Sequence, residues 1–225
     1  MLNENLRRVL NEIAGGNAFG EKITLVAATK TQTAETINSA IENGLEVVAE
    51  NRVQEFREKT DLLLPCRQHF IGHLQTNKVK YLVGKVELIH SVDSVDLAQA
   101  IDAFAAKKGV TQDILIEINA GEESTKSGFN FSDAENAVRN ITENCKNVRV
   151  KGLMAMAPKT PDREYLSKLF TKIRTLYDKL KSDGYAFTYL SMGMSDDYKT
   201  AIACGSNTIR LGTALFGERN YGGNN

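Results

Sequence analysis

Short apolar runs rich in β-branched side chains alternate along the chain with longer charged runs that have the period of a helix. The apolar runs predict eight β-strands, at residues 23–29, 45–50, 67–72, 86–92, 113–119, 148–154, 187–192 and 208–212. The runs between them predict helices within 33–43, 52–63, 77–83, 94–108, 131–144, 162–182 and 196–204. Residues 2–13 carry one apolar stripe ahead of the first strand and predict an additional N-terminal helix.

The alternation of strands and helices decides the fold class. Eight strand–helix units in about 200 residues predict a (β/α)8 TIM barrel. The alternative is an open doubly wound sheet, which normally has fewer strands for this length. No linker, repeat or change of composition interrupts the chain, so we expect residues 1–225 to form one domain. Four residues are predicted helix N-caps: Ser94, Ser132, Asp162 and Ser195.

Composition and charge restrict the kinds of partner that this chain is expected to bind. The 28 basic residues balance 28 acidic ones, so no overall field attracts nucleic acid or an anionic membrane. No apolar run approaches the roughly 18 residues of a transmembrane helix, and the N-terminus lacks the apolar core of a signal peptide. The three cysteines are far apart and form no C-x-x-C. We therefore expect a cytoplasmic protein without a disulfide framework, a membrane span or a nucleic-acid partner.

Lys30 is the first candidate for chemistry. It ends the strand in LVAATK, and functional residues of this barrel lie where strands end. A lysine held against an apolar core loses hydration, which favours the neutral, nucleophilic amine. Lys30 is therefore a candidate Schiff-base lysine. Lys151, inside the sixth strand, is the alternative, and a solvated lysine at a strand end would have neither role.

The loops after strands seven and eight are the second candidate. SMGMSD and RLGT contain small hydroxyl residues and glycines, and these two loops are the usual phosphate site of a TIM barrel. A helix that begins near Ser195 would add its positive end. The same residue types are also common in ordinary turns.

Two weaker signals remain. His69 and His73 are four residues apart but lie on either side of a strand end without a nearby third ligand, so no metal site is expected. Glu117 lies inside the fifth strand, where a buried carboxylate is either a structural charge or a catalytic group.

A lysine after strand one and a phosphate cradle after strands seven and eight together describe a site for pyridoxal 5′-phosphate (PLP). The chain resembles the pyridoxal phosphate homeostasis proteins. The matching stretches, in order, are LVAATKT, GLEVVAENRVQE, HFIGHLQTNK, HSVDS, LIEINAGEESTKSGF, VKGLMAMAP, LSMGMSDDY and IRLGTALFGER. The resemblance implies a fold-type III PLP barrel, like the N-terminal domain of alanine racemase.

The resemblance also implies roles for particular residues. Lys30 matches the PLP-linked lysine, Arg210 matches the arginine that faces the pyridine nitrogen, and Asn51 falls in a motif that lines the cofactor site. The stretches of the phosphate cradle contain Ser191, Gly193, Ser195, Gly212 and Thr213. An arginine can only donate to the ring nitrogen, which would leave it unprotonated and make the cofactor a weak electron sink. A structural salt bridge at the barrel rim is the alternative role for Arg210.

The implied function is to hold PLP and to help balance the pools of PLP, amino acids and keto acids. No catalytic residue is assigned, the expected state is a monomer, and small amino acids are further expected ligands. A PLP-dependent racemase is the first alternative, although racemases of this fold carry a second domain and only twelve residues follow Thr213. A PLP-free Schiff-base aldolase that uses Lys30 or Lys151 is the second alternative, and a yellow purified protein would argue against it.

Overall fold

Eight parallel strands form a closed barrel in which each strand pairs with its neighbours in chain order. The computed structural model describes residues 1–121 and 127–217. The strands are β1 (Thr24–Ala28), β2 (Val47–Glu50), β3 (Arg67–Phe70), β4 (Leu88–Val92), β5 (Gln112–Ile118), β6 (Val148–Ala155), β7 (Tyr189–Ser191) and β8 (Thr208–Leu211). The predicted barrel and its eight strands are confirmed. Residues 122–126, in the LIEINAGEESTKSGF stretch, and 218–219, in IRLGTALFGER, lie outside the described residues.

Helices surround the barrel. They are α1 (Leu2–Ile13), α2 (Ala34–Glu42), α3 (Val53–Lys59), α4 (Val95–Lys108), α5 (Ala134–Asn144), α6 (Arg163–Ser182), α7 (Tyr198–Ala203) and α8 (Thr213–Phe216). Two short 3-10 helices lie at Thr60–Leu62 and Thr76–Tyr81, and the second replaces the α-helix predicted near 77–83. None of the helices in the described part of the chain combines the length and apolar character needed to cross a membrane.

The N-terminal helix α1 is present as predicted and packs against α8. The Asn5 side chain donates a hydrogen bond of 3.1 Å to the Leu215 carbonyl. The four-residue α8 is a single turn that the sequence pattern did not indicate. Helix α1 therefore covers the outside of the barrel near β8, because the helix that follows β8 is very short.

Two of the four predicted N-caps are confirmed. Ser94 caps α4 by accepting from the amide of Leu97, and Asp162 caps α6 by accepting from that of Tyr165.

The other two predicted caps are wrong. The residue that precedes α5 is Asp133 rather than Ser132. Asp197, not Ser195, precedes α7. The Ser195 hydroxyl accepts instead from the amide of Ala214, 3.1 Å away in α8. A partner that is distant in sequence takes the place of the local cap.

The inner face of the barrel follows the alternation of each strand. Val26, Ala28 and Lys30 alternate with the outward-facing Leu25 and Ala27 on the first strand and its extension. Two small apolar clusters fill part of the interior: Val26, Val47, Ala49 and Ile71, and Leu88, Leu115 and Met154. The remaining inner space holds buried polar side chains: His69, His90, Glu117, Ser191 and Arg210. The polar set lies below the ends of strands where TIM-barrel sites form.

Candidate functional site

A cavity of about 220 Å³ opens where the C-terminal ends of β1, β2, β7 and β8 meet. Its lining consists of Ala28, Lys30, Asn51, Ile71, Met156, Met194, Ser195, Asp196, Arg210, Gly212 and Thr213. Six of the eight sequence-predicted site residues are in this lining, and Ser191 and Gly193 are not. A cavity of about 300 Å³ also lies at the opposite end of the barrel, beside α1, and contains none of the eight.

A tight turn places Lys30 at this mouth. The Thr29 carbonyl accepts from the Gln32 amide at 3.0 Å, so Lys30 and Thr31 are the two central residues of the turn. Thr31 has a φ of 67° and is the only described residue other than glycine with a positive φ. Turns that need a positive φ at the second central residue usually have glycine there. The chain thus tolerates backbone strain directly beside Lys30.

A group of three charged side chains, which we call the ion clamp, holds this turn from outside the barrel. Lys59 Nζ lies 2.9 Å from Glu50 Oε1 and 2.8 Å from Glu55 Oε2, and it donates to the Thr29 carbonyl at 3.1 Å. Glu55 also accepts from the Thr31 amide at 2.8 Å. The clamp therefore binds the backbone on both sides of Lys30.

Burial and pairing compete within the ion clamp. Burial lowers the pKa of Lys59, but its hydrogen bonds to Glu55 and Glu50 outweigh this and raise the pKa above its ordinary value. Burial raises the pKa of Glu50, and the bonds from Lys59 and Thr29 offset only part of that rise. The spacing of Glu55 and Lys59, four residues apart on α3, was the one local signal for the clamp.

Arg210 projects from β8 into the barrel and is held by uncharged acceptors. Its Nη1 donates to the carbonyl and hydroxyl oxygens of Ser191 at 2.8 and 2.6 Å, and its Nη2 donates to the Ala155 carbonyl at 2.9 Å. Burial lowers the pKa of Arg210 to about 10, so the guanidinium stays charged at neutral pH. Within the described residues its hydrogen-bond acceptors are all neutral, which argues against the salt-bridge alternative.

The structure does not agree with a phosphate contact at Ser191. The residue is fully buried, and its hydroxyl lies between Arg210 Nη1 and His90 Nδ1, which is 3.0 Å away. Ser191 is the last residue of β7, and the chain first reaches the cavity at Met194, so the Ser191 hydroxyl does not line it. Ser191 supports Arg210 instead.

Gly193 likewise has a structural reason for its residue type. It has a φ of 99°, and a Cβ there would lie 2.7 Å from Ala201 Cβ and 2.9 Å from Tyr198 Cα. Its carbonyl accepts from the Arg210 amide at 3.0 Å. Gly193 therefore lets the loop after β7 lie against α7, and it does not line the cavity.

The remaining cradle residues do lie together. Gly212 precedes α8 and Thr213 begins it, and both line the cavity beside Ser195. Because Ser195 accepts from Ala214, its hydroxyl hydrogen is still available as a donor. The helix that borders the cradle is α8, and α7, predicted to begin near Ser195, begins at Tyr198.

Asn51 lines the same cavity and has a buried acceptor. Its Oδ1 has no hydrogen-bond partner among the described residues. A buried acceptor without a partner costs about 1–3 kcal/mol. The Asn51 Oδ1 therefore suits a ligand that brings a hydrogen-bond donor.

The other sequence candidates are dispersed. His69 is buried with its Nδ1 3.0 Å from His90 Nε2, whereas His73 is 62% exposed and contacts Asp93. The described residues contain no group of three or more His, Cys, Asp or Glu suited to a metal. Burial raises the pKa of Glu117 to about 7, the Asp93 charge adds to the rise, and Arg210 opposes it. Lys151 lies on β6 and does not line the cavity.

Comparisons with known proteins place the chain in a family. Residues 2–220 match the family described as alanine racemase, N-terminal domain. A pyridoxal phosphate homeostasis protein of Aquifex aeolicus is 44% identical, over 97% of this chain and 98% of the relative. The chain belongs to the alanine racemase N-terminal domain family and, within it, to the pyridoxal phosphate homeostasis proteins.

Solved structures agree with this assignment. PipY of Synechococcus elongatus with PLP bound superimposes with a TM-score of 0.83 at 30% identity, over 96% of this chain and 100% of that one. An alanine racemase of Clostridium difficile in complex with cycloserine has a TM-score of 0.75 at 20% identity. It covers 96% of this chain but 60% of the racemase, and at that identity it supports the fold alone.

Proposed function

We propose that this protein binds PLP in the cavity at the mouth of the barrel, as a Schiff base on Lys30, and acts in the homeostasis of PLP and of amino and keto acids. The carrying observation is that Lys30, Arg210 and the Ser195–Gly212–Thr213 cradle border one cavity. The 30% identity to PipY, whose structure contains PLP, supports the choice of ligand.

The residues present fit this cofactor. PLP supplies an aldehyde that links to amines and an electron-accepting ring. Lys30 offers the amine at the cavity wall, and Ser195, Gly212 and Thr213 offer hydroxyl and backbone donors for a phosphate. Arg210 would face the ring nitrogen, to which a guanidinium can only donate. Asn51 brings the acceptor without a partner to the same space.

The same lining supports little or no turnover. Arg210 cannot take up a proton, and it would therefore not stabilise a protonated ring nitrogen, the form that is the stronger electron sink. No His, Tyr or Cys belongs to the described lining of the cavity. Racemisation needs a base on each face of the substrate carbon, and apart from Lys30 the described lining offers only the carboxylate of Asp196 for this role. We therefore favour a binding protein over a racemase, and the weak electron sink beside Arg210 is the main support.

The test is to trap the lysine. The purified protein is expected to absorb visible light, and borohydride reduction followed by peptide mapping should place phosphopyridoxyl on Lys30. Lys30→Ala should abolish the reducible adduct, because no second lysine lines the described cavity. Lys151→Ala is the matched control and should retain the full adduct. An adduct on Lys151 in the Lys30→Ala protein, with its circular dichroism unchanged, would show that the assignment is wrong.

A further inference from the structure

A continuous line of buried polar contacts runs through the barrel from β3 to β8. His69 Nδ1 lies 3.0 Å from His90 Nε2, and His90 Nδ1 lies 3.0 Å from Ser191 Oγ. Ser191 Oγ accepts from Arg210 Nη1 at 2.6 Å. His69, His90 and Ser191 are at most 1% exposed. We call these four residues the relay.

Arg210 fixes the direction in which hydrogen bonds are donated along the relay. A guanidinium has no acceptor, so Arg210 must donate to Ser191. Within the described residues, Ser191 Oγ contacts only Arg210 and His90. If His90 donated as well, the buried hydroxyl hydrogen would have no acceptor, which is unfavourable for a buried donor. Ser191 therefore donates to His90 Nδ1, and His90 carries its hydrogen on Nε2.

The surroundings of His69, at the other end of the relay, require the same direction of hydrogen-bond donation. His69 Nε2 faces Glu87 Oε1 at 3.9 Å, too far for a hydrogen bond but near enough for the charge to act. Arg67 bonds both carboxylate oxygens of Glu87, at 2.6 and 2.8 Å, and holds it ionised. A hydrogen on His69 Nε2 meets this negative charge favourably, whereas a lone pair there would be repelled. His69 Nδ1 is then the acceptor that His90 Nε2–H needs.

We infer that His90 and His69 are positioning residues for Arg210, acting through Ser191 as two neutral rings that both carry their hydrogen on Nε2. All hydrogen bonds of the relay are donated in the same direction. Arg210 donates to Ser191, Ser191 donates to His90, and His90 donates to His69. The assignment of the two tautomers does not depend on a bound cofactor. Its consequence for PLP binding rests on the proposed function of Arg210.

The charged neighbours of both rings agree with neutral histidines. Burial lowers the pKa of His90 well below its ordinary value, and the positive charge of Arg210 lowers it further. Burial also lowers the pKa of His69, and Glu87 opposes this only in part. Arg67 is the other charge beside His69, and it lowers the same pKa.

The relay explains how an arginine with neutral partners keeps one orientation. Ser191 has no free rotamer while its hydroxyl both accepts from Arg210 and donates to His90. The Ser191 and Ala155 carbonyls fix other hydrogens of the guanidinium. The remaining donors of Arg210 are then directed by the protein before any ligand arrives, which is the condition for preorganised binding.

The first test uses the protein without PLP. Long-range proton–nitrogen correlation spectra of the three histidines report which ring nitrogen carries the hydrogen. We expect His69 and His90 as Nε2–H tautomers that do not change between about pH 6 and pH 8. Ser191→Ala should shift the tautomer balance of His90, while Ser206→Ala, a nearby buried serine that bonds only carbonyls, should not. An Nδ1–H tautomer or a charged ring at either position overturns the inference.

The second test measures PLP affinity in paired variants. His90→Asn keeps an acceptor in place of Nδ1 and should bind PLP nearly as tightly as the wild type, whereas His90→Leu should bind about tenfold more weakly. Equal affinities for the two folded variants would overturn the positioning role. The tautomers are read without cofactor, so loss of the Lys30 adduct alone would refute only the proposed function. A wrong tautomer would refute the relay while leaving PLP binding intact.

Discussion

Lys30 and Arg210 border the same cavity but are supported in opposite ways. The turn that carries Lys30 is held by the ion clamp, whose charges bond the backbone atoms of Thr29 and Thr31. Arg210 is held by two carbonyls and a hydroxyl, with no carboxylate among its described acceptors. Glu117 lies near enough to interact with the Arg210 charge, but burial raises the pKa of this carboxyl to about 7. Charged side chains thus bond the backbone on both sides of Lys30, whereas neutral groups accept the hydrogen bonds of the Arg210 side chain.

The largest expected effect comes from breaking the ion clamp. Lys59→Met leaves Glu50 and Glu55 without their cation, and the Lys59 and Glu50 side chains are only 13% and 7% exposed. We expect the free energy of unfolding to fall by about 3 kcal/mol, measured by urea denaturation near pH 7. The control Lys168→Met removes an exposed pair with Glu164 and should cost less than about 0.5 kcal/mol. Equal losses in the two variants would show that the clamp is not a special support.

A smaller effect is expected for Glu117, a carboxylate near Arg210 that is not part of the ion clamp. Burial raises the pKa of Glu117 from 4.5 to about 7, so the native state binds a proton that the unfolded state has already lost. Stability from this group is complete below about pH 4.5 and is lost as the pH rises through 7. Between pH 5 and 8 the wild type should therefore lose about 2 kcal/mol relative to Glu117→Gln. A flat profile for Glu117→Gln relative to the wild type would contradict the assignment.

The smallest effect concerns the strained residue next to Lys30. Thr31→Gly removes the steric cost of a φ of 67° and should stabilise the protein by about 0.5 kcal/mol. Thr33→Gly, at the N-cap of α2 with a φ of −77°, should instead lose a few tenths of a kcal/mol. Thermal unfolding of both variants measures the difference. A destabilised Thr31→Gly protein would show that the turn carries no relievable strain.

Local patterns predicted the barrel and placed Lys30 and the loops after β7 and β8 at its mouth, whereas Asn51 and the role of Arg210 came only from the resemblance to the family. The two-residue period of a strand directs Lys30 and Arg210 inward, and the barrel fold brings the ends of β1 and β8 together. Both inferences need only residues that are close in sequence, together with the order of the strands. The caps at Ser94 and Asp162 succeeded for the same reason, since each partner is three residues away.

The sequence could not predict how deep a side chain lies in the barrel or which side chains meet across strands. Whether Ser191 lines the cavity or lies beneath it depends on the stagger between neighbouring strands, which no local pattern reports. The contact between His69 and His90 spans 21 residues, and that between Ser191 and Arg210 spans 19. Lys59 shows the same limit, because its role became visible only when α3 was placed against the end of β1.

The contact between α1 and α8 has a consequence for how the chain is made. Asn5 and Leu215 are separated by 210 positions, and β1 pairs with β8 at the same seam. Synthesis delivers β1 before β8, so the first strand remains unpaired on one side until the other seven strands have been made. The loop at Gly212 and Thr213 then forms at the moment the ring closes. This part of the cavity lining is therefore completed only when the last strand of the barrel is in place.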